Sequence, residues 1–204
     1  MATVPSDRPV RVEAPGVVLR AYRPDDVSDL LAAFADEEIL RWNPGPSGPD
    51  AVERFMASRN DWSAADHASW AVADATDRFV GSVSVHRIDT DQGDAEIGYW
   101  VAPWARRRGY AVRAVDAACR FTFGRLGLRR VYLYHAVENV GSCAVARAVG
   151  FRHEGTLRES YRYADGRHHD EHLHGLLAPD LGVVVDRDVH LDADGGSDGA
   201  GSDR

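Results

Sequence analysis

Apolar residues recur along this chain in two periods, and the switches between them mark out its elements. Val17–Tyr22 alternates and is β-branched at its start, which predicts a strand. Arg23–Asp26 breaks that strand and supplies an acidic start for a helix through Ala35. The run Trp42–Pro49, dense in Pro and Gly, sustains neither ladder and reads as a loop, with a second helix from Asp50 to about Trp62. Ser69–Asp74 and Phe79–Ile88 read as strands joined by a turn near Ala75–Asp77, and Ala95–Val101 as a third. Ala111, Val115, Ala118, Cys119 and Phe123 fall at helical spacing, so Gly109–Leu126 is a helix, stopped by Gly127. Arg130–Val137 is a strand, Val140–Val149 a short helix closed by Gly150, and strands near Phe151–Leu157 and His168–Leu177 complete the body.

A helix joining the strand that ends at Val101 to the one that starts at Arg130 makes those two parallel neighbours. The preceding meander is antiparallel, so the fold class is α/β in the broad sense: a mixed, mostly antiparallel sheet flanked by helices. Residues 16–182 form one domain, and 1–15 a leading segment expected to be flexible. From 183 the chain turns acidic and rich in Gly, Asp and Ser, and it is expected to stay disordered because it has little apolar surface to bury.

Composition narrows the function. A chain of 204 residues with 44% hydrophobic and 27% charged residues fits one globular domain with a core. No apolar run approaches a membrane span of about 18 residues, and the N-terminus lacks the apolar stretch of a secretion signal, so a cytoplasmic protein with no membrane partner is expected. Half of the net charge of −8 lies beyond residue 185, where six aspartates face two arginines. The mildly acidic body disfavours nucleic acid as a partner and permits a cationic substrate. Cys119 and Cys143 sit in apolar helical stretches and read as buried free thiols.

The strongest chemical signal is Arg106–Arg107–Arg108–Gly109–Tyr110–Ala111, set between a strand and a helix. A helix start presents unpaired N–H groups and the positive end of the helix dipole. Gly109 lets the backbone approach an anion, and the arginines add charge. Alone, this describes a pyrophosphate-sized anion site or a solvated basic cluster equally well.

Arg106-x-x-Gly109-x-Ala111 resembles the R/Q-x-x-G-x-G/A motif of the GNAT acyltransferases, and it follows a Glu96–Ile97–Gly98–Tyr99–Trp100–Val101 strand as in that superfamily. Glu138–Asn139–Val140–Gly141–Ser142, then Gly150–Phe151 and Glu154–Gly155, then Asp165–Gly166 and Asp170, resemble its RimJ/RimL branch, whose best-known members acetylate N-termini of ribosomal proteins. The resemblance spans about Val17 to Leu177. It implies an N-acetyltransferase that uses acetyl-CoA as co-substrate and a primary amine as acceptor, with no metal. Residues from Arg106 to Ala111 would wrap the CoA pyrophosphate, and Val101 and its strand would pair with the pantetheine. Asn139 would steady that arm, and Ser142 would lie near the thioester sulfur. Relatives are often dimeric, so the resemblance extends to a homodimer.

An amine attacks a thioester only when neutral, and Glu96 is the candidate base, directly or through water; an ion pair with a nearby arginine is the alternative reading. A CoA thiolate leaves readily, its pKa being about 8.5, so acid assistance from Ser142 would be modest; capping of its own helix is the ordinary reading of that serine. The acceptor is expected under the Trp42–Pro49 loop; for Trp42, Trp62, Tyr161 and Tyr163 near it, core or lid packing is the ordinary reading and a surface for the acceptor the second. A protein or peptide N-terminus is the first acceptor; a polyamine, an aminoglycoside, a succinyl-CoA-using relative and a non-catalytic acyl-CoA sensor remain alternatives. His168–His174 contains H-x-x-E-H, a helical zinc-protease pattern, but here it lies in a predicted strand, where the ligands alternate between faces. His168, His172 and His174 would share a face; no metal site is expected.

Overall fold

The computed structural model describes residues 6–185 of the chain. Eight strands form one sheet: β1 (Val12–Ala14), β2 (Val17–Arg20), β3 (His67–Ala73), β4 (Phe79–Asp89), β5 (Asp94–Val101), β6 (Arg130–Ala136), β7 (Arg152–Arg162) and β8 (His168–Leu177). Their spatial order is β1-β2-β3-β4-β5-β6-β8-β7. Every neighbouring pair is antiparallel except β5 and β6, which are parallel as the helical crossover requires. Five α-helices flank the sheet: α1 (Val27–Ala33), α2 (Glu37–Trp42), α3 (Pro49–Asn60), α4 (Tyr110–Arg125) and α5 (Val140–Val149).

Two elements depart from the sequence reading. Residues 12–14, assigned to the flexible leader, pair with β2 as an edge strand. The stretch between α1 and the Pro/Gly loop holds a further helix, α2, whose start is fixed by Asp36: its carboxylate accepts from the Ile39 N–H at 3.0 Å. Residues 186–204, most of the acidic tail, lie outside the described residues.

The sheet is covered on both faces, which is why β3 is buried on both sides. On one face α4 packs Val115, Ala118, Phe121 and Phe123 against Val83, Ala95, Ile97 and Leu133. On the other, α1–α3 pack Leu30, Phe34, Val52 and Met56 against Tyr22, Ala71 and Phe79. Trp62 belongs to the first core, edge-on to Trp70 and near Phe121, and is 1% exposed; it is core, not acceptor wall. β2 is anchored by a buried bidentate ion pair, Arg20 to Asp26 at 2.7 and 2.8 Å, with Asp77 completing the guanidinium's contacts.

Candidate active site

β5 and β6 run side by side but are hydrogen bonded only over Asp94–Glu96 and Arg130–Tyr132. Beyond Glu96, β5 stays with β4 as far as Val101, and β6 stays with β8 as far as Ala136. The sheet is therefore split over Ile97–Val101, and among the described residues that half of β5 has no strand partner on its β6 side. An unpaired strand half is costly unless something fills it. An extended, amide-bearing chain laid in the split would satisfy it.

The anion turn lies past the end of β5. Pro103–Ala105 makes one 3-10 turn, Arg107 takes a positive φ of 63°, and Gly109 caps α4 in the left-handed region at φ 76°. Among the described residues no side chain caps α4, which leaves its first N–H groups without a side-chain acceptor. Arg107 and Arg108 are exposed beside them, while Tyr110 and Ala111 are half-buried in the first turn. Arg106 is different. Its guanidinium is held by Asp36 at 2.5 Å and Glu38 at 3.0 Å, tying the turn to the start of α2 instead of reaching for phosphate. These bonds hold the Asp36 carboxyl below the usual range. Arg113, one turn on, was not anticipated. It folds back so that one N–H donates to the Arg108 carbonyl at 2.9 Å, and its guanidinium lies over the Tyr110 ring. It is the guanidinium that braces the turn, and only its spacing of four from Gly109 would have hinted at it.

Across the split, Asn139 caps α5, its side-chain oxygen accepting from the Ser142 N–H at 3.0 Å. That leaves the Asn139 amide NH2 free of this cap. Ser142 Oγ does not cap. It meets the Tyr99 hydroxyl at 2.9 Å, and Tyr99 also reaches the Ser142 carbonyl at 3.2 Å. Burial pushes the Tyr99 phenol well above its ordinary pKa, so it remains a donor. Tyr99 was not singled out in sequence, because an aromatic in a strand reads as core.

Glu96 lies at the last paired position, on the sheet face opposite Tyr99 and Ser142, since strand residues alternate. It is 3.1 Å from Arg87 and 3.4 Å from His86, so the ion-pair alternative raised above is what the structure contains. His86 sits over the split: a Cβ on Gly98 would meet its ring at 3.3 Å. On the same face, Glu171 accepts from Ser160 and Tyr163 at 2.9 and 2.8 Å and is 8% exposed. The Tyr163 ring packs edge-on against Trp42 of α2 and against His169. Tyr161 adjoins Tyr163 but is exposed. His169 bonds Asp165 at 2.9 Å and Glu138 at 3.2 Å, which raises its pKa above the usual imidazole value.

The profile of the Acetyltransferase (GNAT) domain matches residues 17–152, which takes in the split, the uncapped helix and α5. The chain belongs to the GNAT acetyltransferase family. It is an acyl-CoA-dependent N-acetyltransferase. A provisionally named ribosomal N-acetyltransferase of Bacillus subtilis (strain 168), YdaF, is 37% identical over 97 residues, covering 48% of this chain and 52% of that one. The fold of Mycobacterium smegmatis RimJ in complex with CoA-disulfide superposes with a TM-score of 0.74 at 24% identity, over 85% of this chain and 88% of that one. Spermidine N-acetyltransferase of Vibrio cholerae, in complex with CoA and spermine, superposes at 0.71 with 24% identity, over 81% and 98%. Within the GNAT fold, Val101, Arg107–Ala111, Asn139 and Ser142 gather around the split, whereas Arg106 looks toward α2 and Glu96 lies on the far face.

Proposed function

We propose that this GNAT enzyme transfers an acetyl group from acetyl-CoA to the α-amine of a protein or peptide N-terminus. The observation that carries this reading is the Tyr99–Ser142 pair at the mouth of the split, below an α-helix that no side chain caps. In this reading the pyrophosphate lies on the N–H groups of residues 107–111. The pantetheine amides pair with the free side of Ile97–Val101, and the Asn139 NH2 steadies them. The thioester then meets Ser142. Tyr99 O–H meets the Ser142 hydroxyl and carbonyl, an uncharged setting that suits acetyl better than a carboxylated acyl group.

The amine approaches from the face of Glu96, Gly98 and Trp100. Glu96 is taken up by Arg87 and His86, and His86 sits over the split, so we assign the base to His86, with Glu96 orienting its ring. The neutral amine attacks the carbonyl carbon, and a β5 backbone N–H takes the developing oxyanion. The C–S bond breaks as the amine's proton passes to His86; CoA leaves as a thiolate that accepts a hydrogen bond from Ser142 Oγ, which Tyr99 holds in place, and His86 then returns its proton to the thiolate or to solvent. The amide and free CoA leave.

A protein N-terminus fits the acceptor side because its walls are aromatic, Trp42 and Tyr163, around the buried carboxylate Glu171. Likeness to a spermidine acetyltransferase supports a second reading, a polyamine acceptor. A thiol-release assay with N-terminal peptides and with spermidine separates the two. Faster turnover of peptides, at least tenfold in kcat/KM, is expected, and preference for spermidine would overturn the first reading. No helix among the described residues is long and apolar enough to cross a membrane; we assign the enzyme to the cytoplasm, where its donor is made. The open edge β7, eleven residues and almost wholly exposed, with Leu157 and Tyr161 outward, is the surface through which a homodimer would pair.

A further inference from the structure

The α5 side of the sheet carries a second cluster of chemical side chains that the acetyl-transfer reading does not use. His135 on β6 and His172 on β8 are cross-strand partners, and His174 stands next along the same face of β8. Cys143, in the first turn of α5, lies over them. One ligand atom from each of the four residues falls within 4.8 Å of all the others. His168, at the start of β8, is exposed and outside the group.

Geometry and bonding both bear on what this cluster holds. His135 Nε2 and His174 Nε2 are 3.2 Å apart. Two imidazole nitrogens on one tetrahedral zinc, each at about 2.0–2.1 Å, stand about 3.3 Å from each other. His135 Nδ1 lies 2.8 Å from the Ala136 carbonyl, to which it donates, so the His135 lone pair is at Nε2 and points into the cluster. A lone His–His hydrogen bond explains that contact but not the rest. Nδ1 of His172 is buried with no hydrogen-bond partner among the described residues. Natural cores seldom leave such an atom unpaired. His135, Cys143 and His174 are 4%, 9% and 0% exposed, so water does not readily serve them.

We propose that His135, Cys143, His172 and His174 bind one zinc-class divalent cation in a tetrahedral three-imidazole, one-thiolate site. Binding forms one metal–sulfur and three metal–nitrogen bonds and releases the Cys143 thiol proton to solvent. Four protein ligands close the coordination sphere, so the site is structural. Its half-buried member, His172, and the exposed His153 beside it give the ion a route from solvent. The consequence is local and definite. Cys143 follows Ser142, so the ion would fasten the first turn of α5, which carries the acyl-end serine, to the β6–β8 pair.

The test uses the full chain stripped with chelator and titrated with Co2+ as an optical probe. One equivalent should produce intense visible bands of tetrahedral cobalt and a near-ultraviolet thiolate-to-cobalt charge-transfer band; one equivalent of Zn2+ should erase both and raise Tm. Cys143→Ser should abolish the charge-transfer band. His172→Gln should weaken Co2+ binding by more than the roughly tenfold that indirect ligand-shell changes cost at minimum. CoA affinity by calorimetry checks that each variant is folded. A wild-type protein giving only the weak spectrum of hexahydrated cobalt, or a charge-transfer band that persists in Cys143→Ser, overturns the proposal without need of any variant in the first case.

Discussion

Gly109 offers the sharpest test of the anion turn. It caps α4 at φ 76°, ψ 10°, and a Cβ there would come 3.0 Å from Arg113 Nη1. Asn and Asp both tolerate the left-handed region better than other side chains, and they share a shape. Gly109→Asn therefore isolates the steric and conformational cost, which we place below about 1 kcal/mol, a loss of a few-fold in CoA affinity. Gly109→Asp adds one negative charge where the pyrophosphate is to sit. Two unit charges 4 Å apart repel by about 1 kcal/mol in water and about 4 kcal/mol at the effective dielectric of a protein surface. Gly109 is exposed, so the lower part of that range applies, about 1–2 kcal/mol or roughly 5–30-fold beyond the asparagine variant. Titration calorimetry with CoA at low and high salt reads both numbers, and the Asp–Asn difference should shrink as salt screens it. Equal affinities for the two variants, or a difference insensitive to salt, would refute the assignment of phosphate to this helix start.

Three further outcomes follow from particular contacts. Tyr99→Phe removes the hydroxyl bonded to Ser142; kcat should fall by up to about 100-fold while CoA affinity holds, and an unchanged kcat would detach Tyr99 from the chemistry. Arg20→Met strands the Asp26 carboxylate in the core, so urea unfolding should give a loss of about 3–5 kcal/mol, largely recovered when Asp26→Leu is added; a loss below about 1 kcal/mol would contradict the buried pair. His169 has its pKa raised by Asp165 and then Glu138, so its contribution to stability is full below about 6.5 and fades as pH rises through the folded value. Proton NMR should find it titrating above free histidine, with Glu138→Gln bringing it down, and a normal titration would dissolve that link between the β7–β8 hairpin and α5.

How much of this was readable in advance depends on how local each signal is. The crossover from β5 to β6 and the uncapped start of α4 are carried by contiguous residues, Glu96–Val101 and Arg106–Ala111, and both stand where the pattern put them. α2 spans only six residues, too few for a helical period, although Asp36 three positions before Ile39 was its capping signal. The Arg106 side chain was legible only as charge, because a motif says nothing about direction; Asp36 and Glu38, some 70 residues earlier, hold its guanidinium. Trp62 has the core packing that is the ordinary expectation for a tryptophan. Tyr99, His86 and the parts that His135 and Cys143 play beside His172 and His174 share one reason for being missed. Each gains its meaning from a partner on another element, as His135, Cys143 and His174 do from β6, α5 and β8, and periodicity along one segment cannot reveal that.

The most direct measurement is a crystal structure of the protein with CoA. The account predicts diphosphate oxygens on the N–H groups of residues 107–111, pantetheine amides paired with the free edge of Ile97–Val101, and the thiol within hydrogen-bonding reach of Ser142 Oγ. Coenzyme bound elsewhere, or a split between β5 and β6 closed by the protein's own backbone, would contradict it.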